Sequence, residues 1–185
     1  MFGHGNKPPT PPPAPWALQF VTSDYLMAGM VQPQDYAYSG TNVFAEAAVN
    51  RGAEAFQFLT LENVRLQLAG GLASAPETLP QLKLGLCDNL IVIIPDDVAS
   101  LATAQQAFKE YHQPQAGLFY VGPYLIGGTY LASPSALSYP FVNEKSLRPL
   151  VDVEISCRLP GSTLQSWRVP WLLLNGRQLH AFQLG

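Results

Sequence analysis

The strand-like segments of this chain come in two matching sets, and that constrains its fold more than any other feature. "YLMAG" (Tyr25 to Gly29) recurs as "YLIGG" (Tyr124 to Gly128). "LENVRL" (Leu61 to Leu66) recurs as "LVDVEI" (Leu150 to Ile155), and "LCDNLIVII" (Leu86 to Ile94) aligns without a gap on "LNGRQLHAF" (Leu174 to Phe182). Register changes only between the blocks, where loops absorb insertions. Three matches in the same order argue for an internal duplication. Each copy holds a strand bent at glycine, a strand carrying an acid, and a terminal apolar–turn–apolar unit. In the second copy the turn is Asn175-Gly176. Both residue types accept positive φ, so this spacing predicts a tight hairpin.

The remaining segments fill in the organisation. "WALQFV" and "YLMAGMV" predict strands over Trp16 to Val31, and "FQFLTLENVRLQL" alternates over Phe56 to Leu68. "LKLGLCDNLIVII", "GLFYVGPYLIGGTYLA", "LRPLVDVEISCRL" and "WRVPWLLLNGRQLHAFQ" supply the other strands. "PDDVASLATAQQAFKEYH" predicts a helix over about residues 97–112, capped by Asp96 or Asp97 and stopped by Pro114 and Gly117. Val98, Leu101, Phe108 and Tyr111 would share its apolar face. "NVFAEAAVNRG" reads as a short second helix ending at Gly52. Five short strands with glycine kinks close naturally into a small barrel. The expected fold is therefore mainly β, two small five-stranded barrels in tandem with a connecting α-helix. The expected boundaries are a flexible proline-rich arm over 1–15, a first barrel over 16–95, a linker helix over 96–116 and a second barrel over 117–185.

Composition narrows the function classes. The 185 residues are 48% hydrophobic, enough for a real core, but only 12% charged. An average soluble domain carries roughly 25% charged residues, so part of this surface is expected to lie against partner subunits. A net charge of −3 gives no general pull toward nucleic acid or anionic lipid. The charge is uneven: residues 145–185 hold Lys145, Arg148, Arg158, Arg168 and Arg177 against Asp152 and Glu154, which makes that part mildly basic. The N-terminus lacks the apolar core of a signal peptide, and the longest aliphatic run, "LIVII", is too short to span a bilayer. Cys87 and Cys157 make no disulfide framework and read as buried thiols. These observations predict a cytoplasmic protein without membrane contact.

The motifs resemble those of the Sm-like (LSm) proteins. That family's second motif is matched by Leu174, Asn175, Gly176, Leu179 and Phe182, and its apolar part by Leu86, Ile91 and Ile94. Gly128 with Leu150, Asp152 and Val153 resembles the first motif. Gly29 with Leu61, Asn63 and Val64 does so more loosely, with Asn63 at the acid position. The resemblance spans about two-thirds of the chain and implies two Sm-like barrels, with the helix standing where the family's N-terminal helix precedes its first strand. In the family, an Asn before the acid-bearing strand and the Arg-Gly of the second motif contact RNA. Here Phe58 and Leu147 stand at the Asn position. Cys87-Asp88 and Asn175-Gly176 replace the basic-Gly pair, with Arg177 displaced beyond the glycine. The fold is thus expected to persist without its nucleotide pocket.

Catalytic signatures are missing from the sequence: no Gly-rich phosphate loop, no G-x-S-x-G, no H-E-x-x-H and no CxxC. No cofactor is expected. His4, His112 and His180 are too far apart in sequence to suggest a metal site, and Asp96-Asp97 is better read as a helix cap. Phe119, Tyr120, Tyr124, Tyr130, Trp167 and Trp171, beside Arg168 and Arg177, would suit base stacking if exposed, or a core and subunit interface if buried. The expectation is a non-catalytic, homo-oligomeric scaffold, with a single-stranded RNA-binding regulator as the alternative and a small-ligand-binding barrel behind both. The candidate contact residues for nucleic acid or a partner are Asn175, Gly176, Arg177, Arg168, Trp171 and His180.

Overall fold

The computed structural model describes residues 14–32, 58–70, 76–85, 90–132, 147–162 and 166–185. The first half contributes β1 (Trp16–Thr22), β2 (Tyr25–Val31), β3 (Phe58–Leu68), β4 (Glu77–Gly85) and β5 (Leu90–Pro95). Helix α1 (Val98–Ala107) follows. The second half contributes β6 (Gln113–Val121), β7 (Tyr124–Ala132), β8 (Leu147–Cys157), β9 (Ser166–Asn175) and β10 (Leu179–Leu184). All ten strands form one antiparallel sheet in the order β10-β6-β7-β8-β9-β5-β1-β2-β3-β4. The mainly β expectation holds, but the two closed barrels do not form: the sheet is single and open, with β10 and β4 at its ends. The reason lies in β5, whose second edge pairs with β9 of the other half. The proline-rich arm and the "NVFAEAAVNRG" segment lie outside the described residues.

The two halves repeat each other bond by bond. Both follow the order fifth, first, second, third, fourth strand. The β2–β3 ladder slips between Ala28 and Met30, and the β7–β8 ladder slips between Gly127 and Thr129. The glycine inside each slip is Gly29 or Gly128. A Cβ on Gly29 would stand 3.1 Å from the Glu62 carbonyl oxygen, and one on Gly128 would stand 3.2 Å from that of Val151. Opposite each glycine the chain turns left-handed, with φ of 51° at Asn63 and 53° at Asp152. Asn and Asp tolerate that region best after glycine. The "acid position" is thus a backbone-conformation requirement, which Asn satisfies as well as Asp. The β3–β4 and β8–β9 ladders also skip matching prolines, Pro80 and Pro170. Leu61–Leu66 and Leu150–Ile155 therefore occupy equivalent strands, as the sequence predicts.

The gapless match of the last segments is wrong. Thr22 pairs with Leu90 as Val121 pairs with Leu179, so Leu90 corresponds to Leu179 and not to Gln178. Leu84, paired with Leu59, corresponds to Leu174, paired with Arg148. The first half carries one more residue between its last two strands, and the apolar run hid the slip. The hairpin expectation fails as well. β9 pairs with β8 and β5 while β10 pairs with β6, so the strands flanking Asn175-Gly176 never pair with each other. A tight hairpin lies instead at Gly122-Pro123, where φ of 53° at Gly122 and the fixed φ of proline suit a type II′ turn.

The core is shared between the halves. One buried cluster joins Phe20, Leu61, Val64 and Ile93 of the first half to Trp171 and Leu173 of the second. The other joins Tyr130, Leu150, Ile155 and Leu172 of the second half to Val21, Ile91 and Val92 of the first. β5 and the last half of β9, from Trp171 to Asn175, are buried on both faces, which explains why "LIVII" and "WLLL" read as continuous apolar runs. Helix α1 is shorter than expected, because Pro114 and Gly117 belong to β6. The Asp97 carboxylate caps it by accepting from the Ser100 backbone N–H at 2.6 Å. Its packed face is Ser100, Ala104 and Phe108, whereas Val98 points to solvent. Ser100 Oγ accepts a hydrogen bond from the Ala17 N–H, which ties the helix to β1.

Candidate functional site

One sequence-selected residue, Asn175, stands where the halves meet. The joint itself is short: Val92 opposite Leu174 and Ile93 opposite Leu173. Asn175, buried at the end of β9, locks it. Its Nδ2 donates to the Leu90 carbonyl at 2.8 Å, and its Oδ1 accepts from the Arg177 N–H at 3.1 Å. The first bond crosses between halves. The second caps the single 3-10 turn Gly176–Gln178 that leads into β10. Asn175 and the buried Gly176, expected to meet a nucleotide or partner, are engaged inside the chain. A second set of inter-half contacts lies nearby: the Ala69 carbonyl accepts from Ser162 Oγ, with the free thiol of Cys157 at 3.8 Å. Cys87 lies outside the described residues.

The other sequence-selected residues separate. Trp171 is buried and meets Phe108 edge-on at 6.1 Å between ring centroids, so its faces are not open to a base. Arg168 is exposed and donates Nε and Nη2 to Glu154 Oε2 at 3.1 and 2.9 Å. This hydrogen bonding holds the Glu154 carboxyl below its ordinary range, with a smaller contribution from Ser166. Arg177 is exposed on the turn after Asn175, and His180 is exposed on β10. Among the aromatics, Phe119, Tyr124 and Tyr130 are core residues, and Trp167 stacks edge-on against Tyr124. Burial raises the phenol of Tyr124, and its hydroxyl has no hydrogen-bond partner among the described residues.

Sequence reasoning missed Arg148. It is buried near the start of β8, with its guanidinium 5.8 Å from the Tyr111 ring centroid and Nη1 3.3 Å from the Tyr111 hydroxyl. Burial raises the Tyr130 phenol, and the Arg148 charge partly offsets it. No local signal marks Arg148, because Tyr111 reaches it from 37 positions away along the chain. Leu147 beside it, and Phe58 at the matching position, begin their strands where the resemblance would require an RNA-contacting Asn.

Among the described residues, no group of three His, Cys, Asp or Glu side chains is placed to hold a metal, and no helix is long and apolar enough to cross a membrane. No protein-family model, curated protein sequence or solved structure matches the chain.

Proposed function

We propose that the chain is a non-catalytic scaffold protein built from two Sm-like halves that assembles with further copies of itself. The observation that carries this reading is the joint between β5 and β9. A five-strand unit repeats in one chain, and its copies associate edge to edge through apolar strands. A unit that associates this way once presents the same kind of edge again at both ends of the sheet. The glycine-bent second strand and its left-handed partner residue in each half support the Sm-like assignment. The low charge content supports association. Native mass measurement at micromolar concentration tests the reading: the expected mass is a multiple of 20.1 kDa, and a clean monomer refutes it.

The second reading is single-stranded RNA binding, and the exposed Arg177 beside the inter-half joint is the observation that favours it. It ranks second because Trp171 is enclosed and Arg168 is held by Glu154. Titration of labelled poly-U or poly-A at low salt separates the two. Binding at micromolar or tighter that weakens with salt favours RNA, and its absence at high protein concentration removes that reading.

A further inference from the structure

Arg148 is a buried charge without a countercharge. The residue is 9% exposed. Among the described residues no carboxylate pairs with it, and the ion pair there joins Arg168 to Glu154. Its contacts are aromatic: Nη1 donates to the Tyr111 hydroxyl at 3.3 Å, and the guanidinium lies 5.8 Å from the centroid of that ring. Tyr130 lies close enough for its phenol to respond to the charge. A long bond to a hydroxyl and a ring face offset only part of the cost of taking a guanidinium out of water.

The repeat shows that the fold does not need this charge. Arg148 pairs with Leu174 on β9, and the matching pair in the first half is Leu59 with Leu84 on β4. Leu59 is 2% exposed, so a leucine fills the same place in the same kind of half-sheet. Beside Arg148 stands Tyr111, just beyond the end of α1, its ring 5.5 Å from that of Phe108 between centroids. An arginine where packing is satisfied by leucine implies a use for the guanidinium.

The unused donors are open. A guanidinium carries five N–H groups, and here only Nη1 has an acceptor among the described residues. The side-chain polar atoms there that are sealed from solvent without a partner are Gln115 Oε1 and Tyr124 Oη. The Nε–Nη2 edge of Arg148 therefore reaches solvent from an otherwise buried side chain. We infer that this edge, with the Tyr111 hydroxyl beside it, is a binding site for the carboxylate of a small organic acid. The edge offers two parallel N–H groups, which match two carboxylate oxygens. The Tyr111 hydroxyl accepts from Nη1 and keeps its own proton to donate. One guanidinium neutralises one negative charge. A carboxylate brings one, whereas a phosphate dianion would leave charge uncompensated beside the apolar cluster that holds Phe108 and Tyr111. That cluster suits an acid with an aromatic or aliphatic body. The site is independent of assembly and stands one strand from the joint, since Leu174, opposite Arg148, is itself opposite Val92.

Titration calorimetry on the full chain tests the site. Benzoate is the probe, benzamide its neutral counterpart and inorganic phosphate the competing anion. Benzoate is expected to bind at millimolar concentration or tighter and to raise the melting temperature as its concentration rises, and benzamide to do neither. Arg148→Leu, which installs the residue of the first half, is expected to fold with a melting temperature at or above that of the wild-type chain. It should also weaken benzoate at least about tenfold. Arg148→Lys keeps the charge without the fork and should weaken benzoate several-fold; it carries the comparison if Arg148→Leu fails to fold. No benzoate binding overturns the site, as does equal binding of benzamide or an unchanged benzoate affinity in a folded Arg148 variant. Phosphate bound more tightly than benzoate overturns the carboxylate assignment.

Discussion

Replacing Asn175 tests the clamp between the halves. In Asn175→Ala, the buried Leu90 carbonyl loses the donor that now stands at 2.8 Å, and the Gly176–Gln178 turn loses its cap. An orphaned buried acceptor costs about 1–3 kcal/mol, and a lost cap about 1 kcal/mol. The expected loss is about 2–4 kcal/mol, or a melting temperature lower by roughly 5–12 °C at this chain length. Asn175→Asp discriminates further. It keeps the acceptor for the Arg177 N–H but turns a carboxylate oxygen toward the Leu90 carbonyl at a buried position. Burial and the facing carbonyl raise the folded-state pKa of the new acid above its unfolded value of about 3.9. Below that value both states are protonated, and the carboxyl donates to Leu90. As pH rises above it, the unfolded chain ionises first and stability falls until the folded-state pKa is reached. Thermal melts followed by circular dichroism from pH 3.5 to 8 should show Asn175→Asp near wild type at the acid end and below Asn175→Ala at neutral pH. Parallel pH profiles for the two variants, or an alanine cost under about 0.5 kcal/mol, would refute the clamp.

The left-handed positions give a paired prediction: Asp152→Gly is expected within about 0.5 kcal/mol of wild type and Asp152→Val to lose about 1–2 kcal/mol, as read from urea midpoints at constant m. Gly128→Ala should lose about 1–3 kcal/mol, since the added Cβ meets the Val151 carbonyl at 3.2 Å and Val153 Cγ2 at 3.1 Å; an unchanged midpoint would show that the bulge relaxes freely. Arg168→Ala should move the Glu154 titration, followed by carboxyl carbon NMR, up toward the ordinary glutamate value. Because the folded-state pKa of Glu154 is depressed, its contribution to stability is present above the unfolded pKa and fades as pH falls through the folded one; the variant should lose that acid-side dependence.

Local chemistry determined much of this protein by itself. Strand positions, the tandem repeat and the equivalence of Leu61–Leu66 with Leu150–Ile155 follow from side-chain period and glycine placement, which act within a few residues. The cap at Asp97 is local in the same way. What the strands pair with is a long-range matter. An apolar run buried on both faces reads the same whether it ends a barrel or joins two sheets, so "LIVII" could not announce β9 as its neighbour. Asn175-Gly176 carried a hairpin signal that tertiary structure overrode: the Asn175 amide reaches the Leu90 carbonyl of the other half with one end and caps the 3-10 turn with the other. The burial of Trp171 and Arg148 came from helix α1 and the residues after it, where Phe108 and Tyr111 fold back across the second half. Contacts between residues distant in sequence leave no local trace, and for that reason the open ten-stranded sheet and its order became visible only in the folded chain.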